Sequence, residues 1–446
     1  MESSSSVPAP APVPRQTKSS TVSFADVAVD DASQTSSSKT RFADAAADTE
    51  SQMRSSKIRF ADAAAETELQ RGRPAPRSGS LRPNASWFLE TFGFKEPKQY
   101  GQAQTKLREV ASGSGNNLCL AGYRVGEWQF ANVQSIRQEA LDLATASGCM
   151  EQPFTLVNFN GDVRQLHQQQ ELEGSTFQAA SQANCLEMRS RDVTPEDGVT
   201  VYWMDATQGP AVALSCGAAC AFRNYLVPMG PGGQEGQTKA MQLDSMAALC
   251  TRLSGDAEPL WWSKNGYVDS SDVLLARANT ALRAMDDSER SEARDLIAVG
   301  LHFDCEVTLA RHCVAQVFCS ALPVSRSKVQ CRALWQPLAE LVLEAVYEAT
   351  LWAHVVYTAR FRTANGLPAR PVFLTQVGGG VFGNEDAWIC KAIERACHLV
   401  KDQGLGLDVR LVHYGGGTPM GYSLLEGRCK CLCRKEGVQT ECEGES

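Results

Sequence analysis

The sequence lacks any apolar stretch that could direct it into a membrane. Residues 1–15 are rich in serine and proline and have no apolar core of the kind found in secretory signals. No window holds the ~18 consecutive apolar residues that a membrane span needs. We therefore expect an intracellular protein, cytoplasmic or nuclear, with no membrane among its partners.

The chain also lacks an excess of positive charge. Lysine and arginine number 43 against 51 aspartate and glutamate residues, which gives a formal net charge of −8. This balance argues against a general nucleic-acid binder, so no nucleic acid is expected among the partners. A small phosphorylated ligand stays compatible with it, because main-chain amides bind phosphate without any net positive charge.

Several catalytic and metal-binding patterns are missing as well. No G-x-S-x-G elbow of a serine hydrolase is present. The tail cysteines Cys429, Cys431 and Cys433 follow C-x-C-x-C spacing rather than the C-x-x-C of common zinc sites, so no metal is predicted. The 16 cysteines are interpreted as reduced core residues. A nucleophilic Cys185 with His167 or His413 is a nominal alternative, and no cofactor is predicted.

Large apolar residues are scarce in residues 1–83, which are rich in serine, alanine, proline and charge. This composition predicts a disordered segment. It contains three copies of one motif, with Phe24, Phe42 and Phe60 spaced 18 residues apart. Residues 57–60, KIRF, resemble the docking motif of the type-1 Ser/Thr phosphatase. Two interpretations stay open: a partner protein binds the repeats at 24–70, or they are a duplicated spacer.

The most informative stretch is residues 371–415. An apolar run at 372–377 predicts a buried strand, a glycine-rich turn follows at once, and apolar positions at helical spacing begin after residue 386. A second buried strand is predicted at 409–412. A glycine loop between a strand and a helix N-terminus leaves main-chain amides for an anion, most often phosphate. The alternative is an ordinary tight turn.

Two familiar phosphate motifs fit this loop poorly. Gly378, Gly380 and Gly383 match G-x-G-x-x-G, but a dinucleotide-binding unit also needs an acidic residue at the end of the next strand. Here the next strand runs into His413, Tyr414 and three glycines. A Walker loop needs G-K-[ST], and no lysine follows Gly383.

Strand patterns alternate with helix patterns along the rest of the chain, which predicts an α/β fold. Strands are expected at 154–159, 177–180, 297–307 and 313–322, and helices at 135–146, 211–221 and 334–356. We expect an accessory region at 84–150 packed on the main domain, the main α/β domain at 151–425, and a flexible cysteine-rich tail at 426–446.

Four segments in this order resemble a macrodomain, the ADP-ribose-binding fold, in a divergent form typical of eukaryotic microbes. Residues 157–163, VNFNGDV, resemble the opening strand and its turn, and residues 179–184, AASQAN, resemble the strand that ends in an N-A-A-N motif. Residues 208–210, QGP, resemble a degenerate first phosphate loop. Residues 373–384 resemble the second phosphate loop. The resemblance implies a three-layer α/β/α domain with a mixed sheet that binds ADP-ribose.

The resemblance also implies roles for individual residues. Asp162 would face the adenine, Asn184 the distal ribose, and Phe382 would pack on a ribose. The diphosphate would lie between the first loop and the glycine loop. The residues implied to hold it are Gln208, Gly209, Gly378, Gly379, Gly380, Val381, Gly383 and Asn384.

The chain departs from the enzymes of this group in one respect. The signature of poly(ADP-ribose) glycohydrolases, a glycine triplet followed by paired glutamates, is absent. Hydrolysis needs an acid near the anomeric carbon. Glu187 and Asp205 are the nearest carboxylates in sequence, and Asn184 and Glu187 are the candidate catalytic residues. The expected function is binding of ADP-ribose or a related nucleotide diphosphate through the glycine loop, with a reader of ADP-ribosylated proteins as one form of it; an ADP-ribosyl hydrolase on the same fold and a non-catalytic scaffold that recruits partners through the N-terminal motifs are the alternatives.

Overall fold

The computed structural model describes residues 84–147, 153–230, 232–415 and 417–432 of the 446-residue chain. The predicted disordered segment 1–83, with its three motifs, lies outside the described residues, and so do residues 433–446 of the predicted tail. Within the described part of the chain, no helix combines the length and apolar character needed to cross a membrane.

A seven-stranded mixed sheet forms the centre of the fold. Across the sheet the strands lie in the order β1-β4-β5-β3-β6-β7-β2. The five strands from β5 to β2 run parallel, whereas β4 is antiparallel to both β5 and β1. The strand bounds are β1 Glu127–Asn132, β2 Thr155–Asn160, β3 Thr176–Ser181, β4 Ala298–Glu306, β5 Cys313–Ser320, β6 Val372–Leu374 and β7 Asp408–His413.

Helices cover both faces of this sheet. Their bounds are α1 Trp87–Phe92, α2 Tyr100–Glu109, α3 Val133–Ser147, α4 Val163–Gln168, α5 Gln208–Ser215, α6 Gly217–Tyr225, α7 Ala247–Ser254, α8 Asp272–Ala284, α9 Asp287–Asp295, α10 Gln336–Tyr357, α11 Asp386–Lys401 and α12 Met420–Leu432. Small sheets lie outside the central one. One has three strands, at Ala111–Ser112, Cys119–Leu120 and Tyr123–Arg124, and two others are strand pairs, at Pro228–Met229 and Gln234–Glu235 and at Trp262–Lys264 and Tyr267–Asp269.

Two apolar clusters, one on each face of the sheet, make the fold a three-layer structure. Helices α3, α10 and α11 share one cluster, and α1, α2, α4, α5 and α6 share the other. Helix α10 is buried at every position from Leu341 to Tyr357, because α3 and α11 flank it and the sheet lies beneath it. The predicted α/β class with three layers is confirmed.

Residues 84–147, predicted as an accessory region, contribute directly to the central sheet. Strand β1 pairs with β4 along its whole length, and α3 packs against α10. Glu96 ties the start of this region to the rest of the fold: its carboxylate accepts hydrogen bonds from the amides of Val199 and Thr200, each at 2.8 Å, and from the Tyr225 hydroxyl at 2.8 Å. At the other end, α12 extends the folded region through Leu432.

The predicted helix at 211–221 is two helices, α5 and α6, which meet at Cys216. Cys216 leaves the helical conformation with φ −119° and ψ 76°. Thr308 stabilises the break, because its Oγ1 accepts from the Gly217 amide at 2.8 Å and its own amide donates to the Ser215 carbonyl at 2.9 Å. A run of small residues carries no local signal for this break, since the stabilising partner lies far along the chain.

Candidate functional site

A cavity of about 850 Å³ lies at the carboxyl edge of the five parallel strands. Each of those strands is followed by a residue that lines it: Asp162 after β2, Gln182 after β3, Ala321 after β5, Thr375 after β6 and Tyr414 after β7. Ligands of open α/β sheets bind at this edge, and small-molecule pockets have ~300–1,000 Å³ of volume. The cavity is therefore the candidate site.

The glycine loop (residues 378–383) forms one wall of this cavity through Gly378, Gly380, Val381 and Phe382. Two amides of the loop form hydrogen bonds within this segment, because those of Gly379 and Gly383 donate to the carbonyls of Gln376 and Gly380. Among the described residues, the amides of the four cavity-lining residues have no hydrogen-bond acceptor. A loop with open amides beside the start of α11 has the chemistry of an anion site.

Two glycines of the loop are required by its shape, and a third lies in front of open space. Gly378 and Gly383 have φ values of 77° and 70°, in the left-handed region. A Cβ at Gly378 would lie 2.4 Å from the Cβ of Ala321. A Cβ at Gly380 would meet no atom within 4 Å. The missing side chain of Gly380 therefore leaves room at the cavity wall rather than relieving a clash.

Of the other predicted residues of this segment, Asn384, Gly379 and Gly383 lie behind the cavity wall and Phe382 lines it. Asn384 is buried, does not line the cavity, and donates from Nδ2 to the carbonyl of Leu322 at 2.8 Å. Gly379 and Gly383 also lie behind the wall. Phe382 lines the cavity and its ring packs 5.7 Å from the ring of Tyr267, centre to centre.

Glu187 supplies an acid to the same cavity from the loop after β3, which we call the acid loop (residues 182–188). Its side chain lines the cavity and is 3% exposed. Its Oε1 atom is buried without a hydrogen-bond partner among the described residues. A buried carboxyl with an unused oxygen is unusual, because buried polar groups are almost always bonded.

The pKa of Glu187 is raised from 4.5 to about 8, and the largest cause is burial, which disfavours the charged carboxylate. A hydrogen bond from Ser181 and the positive charge of Arg223 lower the pKa, whereas the negative charge of Asp205 raises it. Glu187 therefore holds its proton at neutral pH. A protonated carboxyl facing a cavity is suited to act as a general acid.

Asn184 belongs to the acid loop but does not line the cavity. It is fully buried, and its Oδ1 accepts from the Leu186 amide at 3.1 Å while its Nδ2 donates to Gln242 at 2.8 Å. This is an Asx turn, which fixes the main chain one residue before Glu187. Asn184 acts on the cavity through the loop it shapes.

Gln208 and Gly209 begin helix α5 and line the cavity. The Gln208 side chain joins the helix to strand β3, since its Oε1 accepts from the Ala180 amide at 2.8 Å and its Nε2 donates to the Gln178 carbonyl at 2.7 Å. A Cβ at Gly209 would lie 2.4 Å from Oε2 of Glu187. The absence of a side chain at Gly209 therefore leaves the space that the Glu187 carboxyl occupies.

Asp162 lies at the start of α4 and follows β2, which is the third strand along from β3 in the sheet. Its carboxylate accepts from the amide of Arg164 at 2.9 Å and from the guanidinium at 3.0 and 2.7 Å. Asp205, the other acid considered, lines the wall beside α5 and accepts from the amide and hydroxyl of Thr207 at 2.9 and 2.7 Å.

Arg189 and Arg326 at the cavity mouth are residues that the sequence analysis missed. Both side chains are exposed, and within the described residues neither guanidinium contacts a carboxylate. Arg326 adjoins the glycine loop, because the amide of its neighbour Ser325 donates to the Phe382 carbonyl at 2.8 Å. Its signal in the sequence was its position, a few residues beyond the end of a predicted parallel strand.

The nominal cysteine nucleophile is placed unfavourably for that chemistry. Burial raises the pKa of the Cys185 thiol, so the reactive thiolate is disfavoured. The rings of His167 and His413 bond elsewhere: His167 to the Val163 carbonyl at 2.7 Å, and His413 to Asn158 at 2.7 Å. Within the described residues, no group of three histidine, cysteine or acidic side chains could hold a metal ion.

Comparisons with known proteins find structural similarity without sequence similarity. No protein-family model matches the chain, and no curated protein matches its sequence. One similar solved structure is the poly(ADP-ribose) glycohydrolase of Deinococcus radiodurans in complex with ADP-ribose, at 10% identity and TM-score 0.35, covering 69% of this chain and 95% of that one. Another is a variant of the poly(ADP-ribose) glycohydrolase of Thermomonospora curvata, at 12% identity and TM-score 0.33, covering 74% and 97%.

Proposed function

We propose that the chain binds ADP-ribose, or a closely related nucleoside diphosphate, in the cavity at the carboxyl edge of the sheet. The observation that supports this proposal is that the amides of Gly378, Gly380, Val381 and Phe382 have no acceptor in the part of the chain that the structure describes. Four open donors in one wall match the several oxygens of a diphosphate. Arg326 beside the loop adds a positive charge to the same end of the cavity.

The rest of the cavity suits the two sugar and base ends of such a ligand. The rings of Phe382 and Tyr267 provide flat apolar surfaces against which a ribose or base packs. Asp162, held by Arg164, provides a fixed acceptor at the far end for a base amino group. The distal ribose lies toward Glu187 in this arrangement. As a reader, the protein would hold ADP-ribose that is attached to another protein.

Calorimetry with free ADP-ribose tests the proposal directly. We expect measurable heat of binding in the wild type and loss of binding in Gly380→Glu, because the new carboxylate lies in front of the amides and repels the diphosphate. Gly101→Glu is the matched control: Gly101 is an exposed glycine of α2 with no atom within 4 Å of an added Cβ. Absence of heat at millimolar ADP-ribose, or unchanged binding in Gly380→Glu, contradicts the proposal.

Hydrolysis of an ADP-ribosyl bond is a second proposal, which the buried Glu187 carboxyl favours. Glu187 would give its proton to the leaving oxygen as the bond to the anomeric carbon breaks. The resulting carboxylate would then take a proton from the water that attacks that carbon, which restores the acid. Release of ADP-ribose from a modified protein is the expected activity. If no ADP-ribose is released from any linkage tested, the hydrolase proposal fails and only the binding proposal stands.

The partner predicted for the N-terminal repeats is a separate proposal that lies outside the described residues. A pull-down with residues 18–72 tests it, using the same segment with Phe24, Phe42 and Phe60 changed to alanine as the control. Capture of one partner by the native segment and not by the alanine segment would support a recruiting role. Equal capture by both would support a spacer.

A further inference from the structure

The acid loop is closed by the side chain of Gln182, which bonds both main-chain groups of a residue six positions later. Its Oε1 accepts from the amide of Met188 at 2.8 Å, and its Nε2 donates to the carbonyl of Met188 at 2.6 Å. One amide side chain thereby joins the two ends of the loop, in the way that a neighbouring strand would. Tyr267 adds a hydroxyl donor to the same carbonyl at 2.8 Å.

Between these ends the main chain is held in a conformation that it would not keep alone. Cys185 has a φ of 59°, in the left-handed region that a residue other than glycine rarely adopts. Such a residue costs ~1–3 kcal/mol and persists where its surroundings over-determine it. The Cys185 amide donates to the Gln182 carbonyl at 2.9 Å, so the strained turn and the Gln182 bridge share one residue.

Two further amides of the loop are also bonded. The Leu186 amide donates to Asn184 at 3.1 Å, and the Glu187 amide donates to the Tyr202 hydroxyl at 3.1 Å. Among the described residues, the buried side-chain oxygen of this loop that has no partner is Oε1 of Glu187. The bonded groups of the loop hold its main chain in place. The carboxyl oxygen of Glu187 that is not bonded is the group that the loop presents to the cavity.

We propose that Gln182 is a positioning residue, which holds the Glu187 carboxyl at the cavity wall by tying both ends of the acid loop together before any ligand binds. This inference rests on the proposed function of the cavity, and it concerns the loop itself. Gln182 differs from the other bonding partners because it needs both its donor and its acceptor. A side chain with one or neither group, or with a shorter reach, cannot replace it.

The titratable and charged groups around Glu187 determine whether a pH-dependent change in stability can be assigned to its carboxyl. They are Arg223 of α6, Asp205 before α5, and the buried side chains of Cys185, Tyr202, Cys220 and Tyr267. The pKa values of the two cysteines and two tyrosines are raised. They therefore stay neutral between pH 4.5 and 8, and the comparison with Glu187→Gln, in which Asp205 and Arg223 are unchanged, isolates the charge change of Glu187.

A double-mutant cycle across pH tests the proposal without any ligand. The pH-dependent difference in unfolding free energy between the wild type and Glu187→Gln is measured first, and then the same difference in a Gln182→Asn background. Gln182→Asn keeps the amide chemistry but shortens its reach by one methylene. We expect the apparent pKa of Glu187 to fall from about 8 toward its ordinary value of 4.5, because the opened loop admits water to the carboxyl.

Gln316→Leu is the control for general loss of a buried glutamine. Gln316 is fully buried on β5 and donates to the Val212 carbonyl at 2.7 Å, outside the cavity wall. It should leave the Glu187 titration unchanged. Equal titration of Glu187 in the Gln182 and Gln182→Asn backgrounds overturns the proposal. Should Gln182→Asn fail to fold, Gln182→Met, which keeps the length but lacks both polar groups and adds no titratable group, replaces it under the same criterion.

Ligand experiments then separate this inference from the function on which it rests. In Gln182→Asn we expect turnover to fall about 100-fold, as for a catalytic group displaced by about 1 Å, with ADP-ribose affinity changed less than about 3-fold. A loss of affinity with turnover per bound ligand unchanged would make Gln182 a ligand contact and overturn the positioning role. If the wild type neither binds nor cleaves, the proposed function fails, and the unfolding cycle still decides the role of Gln182.

Discussion

The glycine loop and the acid loop face the same cavity and treat their main-chain groups in opposite ways. In the glycine loop, four amides have no acceptor among the described residues. In the acid loop, the amides of Ala183, Cys185, Leu186, Glu187 and Met188 all donate, and an oxygen of Glu187 is left instead. Among the described residues, one loop leaves main-chain donors without a partner, and the other leaves a side-chain oxygen without one.

The two loops also differ in how many distant partners their main chains have. The glycine loop has a local anchor, the Asn384 amide, which donates to the Gly378 carbonyl at 2.9 Å, and a distant one, the Ser325 amide, which donates to the Phe382 carbonyl at 2.8 Å. The acid loop bonds to more distant residues, among them Tyr202, Gln237 and Tyr267. The closed loop therefore draws on more of the fold than the open one.

The largest expected effect is on chemistry at the acid loop. Replacing Glu187 by glutamine should lower any ADP-ribosyl hydrolase turnover by about 10²–10⁴-fold, which is the contribution of a positioned acid or base. ADP-ribose affinity should change little, because the glycine loop is untouched. Turnover with a modified protein and calorimetry with ADP-ribose give the two numbers. Turnover that survives in Glu187→Gln would assign the proton to another group.

Stability as a function of pH should distinguish the same residue without a ligand. The pKa of Glu187 is raised, so the folded state keeps a proton that the unfolded state releases above pH 4.5. The wild type should therefore lose stability relative to Glu187→Gln as the pH rises from 4.5 to about 8, by about 1.4 kcal/mol per pH unit. Urea unfolding at pH 5, 6, 7 and 8 measures this slope. A flat difference would mean that the carboxyl is solvated.

Two alanine substitutions in the glycine loop should separate its shape from its function. Gly378→Ala places a Cβ 2.4 Å from Ala321 at a φ of 77°, so we expect a loss of about 2–3 kcal/mol of stability. Gly380→Ala meets open space and should cost less than about 0.5 kcal/mol, while its methyl group lowers ligand affinity. Thermal unfolding and calorimetry on both variants test this, and equal effects would contradict it.

The smallest expected effect is at the cavity mouth. Arg326→Gln should weaken ADP-ribose binding about 3–10-fold at low salt and less at high salt, because an exposed charge acts through water and is screened. Arg283→Gln on α8 removes the same charge from an exposed site outside the cavity wall and should leave affinity unchanged. A salt-independent loss in Arg326→Gln would instead indicate a direct, buried contact.

Local patterns in the sequence were sufficient to predict one wall of the cavity, the glycine loop. The glycines, the strand before them and the helix after them are consecutive in the chain, so the open loop was predictable; α11 begins at Asp386 as expected, although β6 ends earlier, at Leu374. The macrodomain resemblance gave the layer arrangement. The position of Glu187 near the cavity followed from its distance to the end of a predicted strand.

The remaining features depend on contacts between distant segments. No local pattern announces that Gln182 bonds to Met188, since glutamine six residues upstream is common in loops. Arg326 required knowledge that β5 lies beside β3 in the sheet. The break at Cys216 depends on Thr308, and the sheet position of β1 depends on its pairing with β4, which follows more than 160 residues later.

Each wall of the cavity is formed by the connection after a different strand, and this has an evolutionary consequence. Because the sheet beneath is held by its own core, one connection can lengthen, shorten or change residues while the others keep their geometry. The chain has no acids in the paired-glutamate pattern, yet a carboxyl reaches the cavity from the neighbouring connection. Descendants of such a scaffold can gain, move or discard a reactive group while the main-chain geometry of the glycine loop is inherited unchanged.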